Sequence, residues 1–274
     1  GGRPPYVIRT IEGNAGDDKR YGDDGSDSSK GGLGENLIVG GKGADSLLEG
    51  GDEKDTIYGD EESANGTQIG SADNIDGGKG DDFLYGGGGA DAILGGEGKD
   101  EIVGGHGSDV ALFGGAGDDA IYGGRKEKDD KLDQGLDRLY GEAGKDELFG
   151  GNGIDFLFGG ADQDKLHGEG GNDRLEGGTG FDTYNYTPND GRDIIKDEGN
   201  EGQILWGKDE IALFGGTNSG PGDRVYYDNP DDWRFRYEAS RNPNEGRFDV
   251  IITSRQGGLL EGRALLLTEG NGLG

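Results

Sequence analysis

The sequence predicts an all-β fold, a solenoid of short strands alternating with glycine-rich loops. Three observations point there. A nine-residue phrase recurs down most of the chain: glycine, glycine, any residue, glycine, any residue, aspartate, any residue, aliphatic, any residue. Residues 77–85 (GGKGDDFLY), 86–94 (GGGGADAIL) and 95–103 (GGEGKDEIV) carry it without a break. The phrase also divides into a flexible, carboxylate-bearing loop and three residues able to form a short strand with one buried side chain. Finally, the composition cannot build an ordinary hydrophobic core. Leu, Ile, Val and Phe make up about 19% of the chain, glycine supplies 64 of 274 residues and the formal charge is -30, which is the range of disordered chains. Folding therefore needs outside help. That help must be cationic, because 57 acidic residues face 27 basic ones.

With the aspartate as sixth position, fifteen rows align between residues 31 and 185. Their sixth positions are Asn36, Asp45, Asp55, Asp73, Asp82, Asp91, Asp100, Asp109, Asp119, Asp137, Asp146, Asp155, Asp164, Asp173 and Asp182. Their eighth positions are Ile38, Leu47, Ile57, Ile75, Leu84, Ile93, Ile102, Ala111, Ile121, Leu139, Leu148, Leu157, Leu166, Leu175 and Tyr184. Glycine at positions one, two and four permits positive φ and close approach of a backbone carbonyl to an ion. The aspartate offers a hard oxygen, which suits Ca2+ better than a soft metal. The aliphatic residue points into the stack, and positions seven and nine point out. Position nine is often aromatic, as in Tyr58, Tyr85, Tyr122, Tyr140, Phe149 and Phe158.

Two nine-residue stretches break the pattern. Residues 59–67 (GDEESANGT) and 123–131 (GGRKEKDDK) lack both a sixth-position aspartate and an eighth-position aliphatic. With no side chain to bury, they are expected to be extruded loops rather than degenerate turns. Glu49 and Phe113 read as single-residue insertions that kink the stack. Upstream, residues 13–21 and 22–30 keep the loop half, with Asp18 and Asp27. They lose the strand half, with Arg20 and Ser29 at position eight. Asp27 remains a candidate ligand; Asp18 is a poorer one.

These rows resemble the RTX (repeats-in-toxin) family over residues 31–185, more than half the chain. The resemblance implies a right-handed parallel β-roll in which two successive rows make one turn. It implies Ca2+ between loops stacked on the same side, held by sixth-position carboxylates and loop carbonyls. On that reading the sixth-position residues above are the metal ligands, together with Asp27. Asn36, a neutral ligand, would make a weaker site. Glu53, Ser71 and Asp162 replace the fourth glycine and depart from the pattern. Roughly a dozen Ca2+ would cancel most of the net charge, and ions binding only the folded state would add stability by mass action. The alternative is a solenoid held by hydrogen bonds alone, with the aspartates as turn residues.

The pattern ends at residues 177–185 (GGTGFDTYN). The next stretch, 186–195 (YTPNDGRDII), resembles the segment that closes such blocks in secreted proteins. The chain thus divides into a leader of degenerate loops (1–30), the repeat block (31–185) and an antiparallel β capping region (186–274), since an open stack exposes its core and edges. In WRFRYE, Trp233, Phe235 and Tyr237 share one face. In RFDVIIT, Phe248, Val250 and Ile252 do so, and the turn-rich ASRNPNEG between them predicts an antiparallel pair. Residues 203–206 and 264–268 are further strand candidates.

The acidic balance argues against nucleic acid and against anionic membrane surfaces. No apolar run is long enough to span a bilayer. Without cysteine, disulfides and thiolate metal sites are excluded. His106 and His167 occupy variable positions and read as surface residues. No catalytic motif appears, so this segment is expected not to be an enzyme. The opening GGRPPYVIRT has neither methionine nor a secretory signal, as expected of a segment of a longer protein. By family likeness that protein is exported unfolded by type I secretion machinery. The segment then folds, as a monomer, on extracellular Ca2+ and stabilises adjacent domains. Two other readings are a polysaccharide- or host-surface-binding module and the C-terminal half of a lipase or protease.

Overall fold

Each row places one aliphatic residue between two outward-facing neighbours, so each row makes one short strand. The computed structural model describes residues 10–60, 70–126, 134–186, 193–196, 203–206, 211–213, 225–227, 235–242, 247–254 and 259–267. The first strands are β1 (Thr10–Glu12), β2 (Lys19–Tyr21), β3 (Ser28–Gly32), β4 (Leu37–Gly41), β5 (Leu47–Gly51) and β6 (Thr56–Asp60). They are followed by β7 (Asn74–Lys79), β8 (Phe83–Gly89), β9 (Ala92–Glu97), β10 (Glu101–Gly107), β11 (Ala111–Ala116), β12 (Ala120–Tyr122) and β13 (Arg138–Ala143). Then come β14 (Glu147–Gly153), β15 (Phe156–Ala161), β16 (Lys165–Gly171), β17 (Arg174–Thr179), β18 (Thr183–Tyr186), β19 (Ile194–Lys196) and β20 (Gln203–Trp206). The odd-numbered strands from β1 to β19 pair in parallel as one sheet, and the even-numbered strands from β2 to β20 as a second. Each turn of the solenoid therefore consumes two rows.

Register stacks like on like. Ile102 pairs with Leu84 on one side and Ile121 on the other. The core is a single file from each sheet, running from Ile38 to Ile195 and at most 3% exposed. Tyr184 ends the run of rows. It stays buried because the Gly177 N–H donates to its hydroxyl at 3.0 Å.

Two core positions differ from the sequence reading. Leu48 is fully buried and Leu47 is 39% exposed; likewise Leu112, not Ala111, enters the core. The surplus residue of each row sits directly after the aspartate, at the bends Ser46 and Val110. The aspartate is fixed by its neighbours in the stack and the aliphatic residue by strand pairing, so the extra residue is expelled between them. Glu49 and Phe113 are not insertions. They keep their places at position nine, paired with Asp76 and Tyr140.

The upstream rows also depart from expectation. β2 and β3 form although Arg20 and Ser29 stand at the core position, because backbone pairing to β4 and β5 carries the strands onward. Residues 61–69 and 127–133, within or overlapping the two expected loops, lie outside the described residues. Strand pairing continues across both: β5 with β7, β6 with β8, β11 with β13 and β12 with β14.

At the C-terminal end both sheets change direction. β21 (Ile211–Leu213) pairs antiparallel with β20. The remaining strands are β22 (Val225–Tyr227), β23 (Phe235–Asn242), β24 (Arg247–Ser254) and β25 (Leu259–Leu267). β22 to β25 pair antiparallel in sequence, and β25 lies parallel beside β19. Trp233 lies outside the described residues.

The outer faces carry aromatic files. Phe113, Tyr140 and Phe158 stack at centroid distances of 4.7 and 4.9 Å. Tyr122, Phe149 and His167 stack at 4.7 and 4.3 Å on the other sheet. His167 is thus a partly covered member of a file. The ring faces are turned toward each other, with interplanar angles of 3–17°.

The register makes one sharp distinction. Leu48→Ala is expected to destabilise the folded protein by about 2–5 kcal/mol, and Leu47→Ala by less than about 0.5 kcal/mol. Chemical denaturation of both variants checks it, and the opposite ranking would restore Leu47 to the core.

Candidate metal centres

The loops stack as regularly as the strands, and the aspartates hold them in line. In each turn the backbone N–H of one sixth-position residue donates to Oδ1 of the sixth-position residue in the next. One column runs through Asp18, Asn36, Asp55, Asp82, Asp100, Asp119, Asp146, Asp164 and Asp182. The other runs through Asp27, Asp45, Asp73, Asp91, Asp109, Asp137, Asp155, Asp173 and Asp193. Donor–acceptor distances lie between 2.6 and 3.1 Å. The aspartate carbonyl accepts from the following turn as well; the Ala120 N–H, for example, donates to the Asp100 carbonyl at 2.9 Å. All sixteen residues picked from the sequence fall in these columns.

This ladder occupies one carboxylate oxygen and leaves the other. Oδ2 of Asp45, Asp55, Asp73, Asp82, Asp91, Asp100, Asp119, Asp146 and Asp164 is buried and accepts no hydrogen bond. These nine side chains are at most 3% exposed. Asp27 differs, since its Oδ2 accepts the Asp23 N–H at 3.0 Å.

The glycine columns shape the space around Oδ2. A Cβ on Gly86 would lie 2.4 Å from Asp91 Oδ2 and 2.7 Å from the Gly104 carbonyl oxygen of the next turn. A Cβ on Gly95 would meet Asp100 Oδ2 at 2.5 Å and the Gly114 oxygen at 2.4 Å. A carboxylate oxygen and a carbonyl oxygen thus converge on the open face of these first glycines, as they do at Gly50, Gly77, Gly141 and Gly159. Gly59 and Gly123 serve as first glycines for Asp73 and Asp137, so both rows begin before their interruptions. Most second and fourth glycines hold positive φ, as at Gly96 (116°) and Gly98 (139°). Asp162 adopts 78° in place of a fourth glycine, and Glu142 and Glu169 adopt 75° and 64° in place of a second.

Stacked, desolvated carboxylates resist ionisation. Burial, opposed by the ladder hydrogen bond, pushes Asp73 up to about 8. It pushes Asp82, Asp91, Asp119 and Asp164 to about 7, and Asp45, Asp100 and Asp146 to about 6. Neighbouring carboxylates add to the rise, Asp60 among them for Asp73 and Asp91.

The ladder alone does not require this charge. Asn36 accepts the Asp18 N–H through Oδ1 as an aspartate would, without placing a charge in the stack. A buried carboxylate with an orphaned oxygen is costly unless a cation compensates it. The donor set, carboxylate and carbonyl oxygens without sulfur or imidazole, fits a hard cation such as Ca2+. Among the described residues no three acidic or histidine side chains converge. The glycine-rich loops leave backbone carbonyls able to approach the same space.

Two buried acids escaped the sequence reading. Asp193 is 2% exposed and continues the second column, with Ile195 below it in the core. The signal was its spacing: Gly191 at the fourth place and an aliphatic two residues after the aspartate, with Pro188 and Asn189 in place of the first two glycines. Asp60 occupies the second-glycine place of its row, where Oδ2 accepts the Ser71 and Gly88 N–H groups at 3.2 and 3.4 Å. Nothing in the repeat marks it.

Fold and loops together define a parallel β-solenoid with calcium-binding turns. The chain belongs to the RTX family. The family model described as RTX calcium-binding nonapeptide repeat (4 copies) matches residues 21–48, 70–102, 88–112, 95–125, 133–157 and 149–184. The gaps in that match contain the two interruptions' central residues. No curated protein matches the chain.

The raised carboxylates fix a sign for pH. The metal-free folded chain holds protons that the unfolded chain releases above about 3.8, so their stabilisation is complete below that pH. It is lost as pH rises through about 6 to 8. Circular dichroism in EDTA is expected to show β-structure declining between pH 5 and 8, and a flat profile would refute the desolvated columns.

Proposed function

We propose that this chain is the calcium-triggered folding module of a larger exported protein. It is disordered without calcium and becomes a solenoid when Ca2+ fills the gaps between successive aspartates, roughly a dozen ions in all. The observation that carries this reading is the orphaned, buried Oδ2 repeated along both columns. The aliphatic files are one residue wide per row, too thin to offset the entropy of ordering so much glycine. Ions binding only the folded state supply the difference by mass action, each adding about 2.7 kcal/mol at 100 times its Kd.

The biological setting follows from the same switch. Low cytosolic calcium keeps the chain threadable for a type I secretion channel, and millimolar calcium outside the cell folds it. Folding then stabilises neighbouring domains of the same polypeptide, with the strands of residues 186–274 acting as the cap. The segment itself is a non-enzymatic monomer.

A calcium titration at about pH 8, the upper end of the raised carboxylate range, followed by circular dichroism tests the switch: a coil spectrum in excess EGTA is expected to give way cooperatively to β-structure, and a full β spectrum in EGTA at that pH would sink the proposal. Asp100→Asn separates ladder from ligand. It is expected to keep the hydrogen bond from Asp82 while lowering the number of ions counted by calorimetry, and an undiminished count would show that Asp100 holds no metal. Calcium that leaves an attached upstream domain's melting temperature unchanged would remove the stabilising role.

A further inference from the structure

The N-terminal end of the first column is built differently from the rest. Arg20 stands at the core position of its row, where other rows place an aliphatic residue. Its side chain is 11% exposed, and Nη2 donates to Asp18 Oδ2 at 3.0 Å. That oxygen corresponds to the one left orphaned further along. The first glycine shows the same substitution: a Cβ on Gly13 would meet Arg20 Nη2 at 2.8 Å, where Gly86 and Gly95 meet a carboxylate oxygen.

The next rung is neutral. Asn36 accepts the Asp18 N–H through Oδ1, which fixes the orientation of its amide. The other amide atom is therefore Nδ2, and it donates to the Gly34 carbonyl at 2.8 Å. A Cβ on Gly31 would lie 2.6 Å from this Nδ2, again where other rows present Oδ2. An N–H cannot ligate a cation, and it also consumes a loop carbonyl.

We infer that Arg20 and Asn36 close the first two rungs of this column with the protein's own donors, so that calcium on this side begins at Asp55. The guanidinium acts as a tethered cation for Asp18, and the Asn36 amide serves the Gly34 oxygen. The Asp18 side chain is 39% exposed, so an ion there would be less enclosed than at the buried rungs, whereas a covalently attached donor cannot diffuse away. In the second column only the first rung is closed: Asp27 Oδ2 accepts the Asp23 backbone N–H at 3.0 Å, and the next rung, Asp45, already has its orphaned oxygen.

The inference rests on the calcium reading above, and native mass spectrometry of the full chain in calcium separates the two. Asn36→Asp is expected to add one bound ion to the wild-type count, and Arg20→Leu with Asn36→Asp to add two. Arg20→Lys, which keeps a tethered cation, is expected to leave the count unchanged. Unchanged counts in Asn36→Asp and in the double variant would overturn the inference. Asn36→Asp restores the residue of the other rows, so it decides the matter alone if Arg20→Leu does not fold. A wild-type chain that binds no calcium would instead overturn the calcium reading, and this inference with it.

Discussion

Everything in this solenoid hangs on what the sixth-position aspartate does with its two oxygens. Oδ1 accepts the backbone N–H of the preceding turn and so sets the loop spacing. Oδ2 is left buried and without a donor. The first bond aligns the stack, and the second oxygen makes it conditional. A neutral side chain can do the first task, as Asn36 does. Only a carboxylate creates the second, and where no N–H reaches that oxygen a cation can compensate it.

The rest of the architecture serves that rung. Glycines at the first position leave room for a carboxylate oxygen and a neighbouring carbonyl to approach one point. The aliphatic file, one residue per row, keeps the two sheets together. The aromatic files outside stack ring on ring at 4.3–4.9 Å, which supports the strand spacing but uses up the ring faces.

Ends and interruptions show how the rule is relaxed. The rungs on either side of the interruptions stay bonded, from Asp45 to Asp73 and from Asp109 to Asp137. At the C-terminal end parallel pairing gives way to antiparallel strands. At the N-terminal end Arg20 and Asn36 bring donors into the column. Each device changes the local chemistry while preserving the spacing.

The repeat itself was legible in the sequence because its period is local: both columns and most core residues follow from counting nine residues at a time. Counting fails wherever a row is longer or shorter than nine. Whether Leu47 or Leu48 turns inward depends on pairing with Ser29 and Ile75, residues far away in the chain. The same holds for Asp193, recognisable as a rung only because Asp173 donates to it. The orientation of the Asn36 amide is set by Asp18, and the role of Arg20 by its reach to that carboxylate. The amino-acid sequence by itself determined the period and the acidic columns, since these depend on residue type and spacing. Which oxygens are already taken, and which rungs carry their own donors, only the tertiary structure decided, because those contacts join residues of different turns.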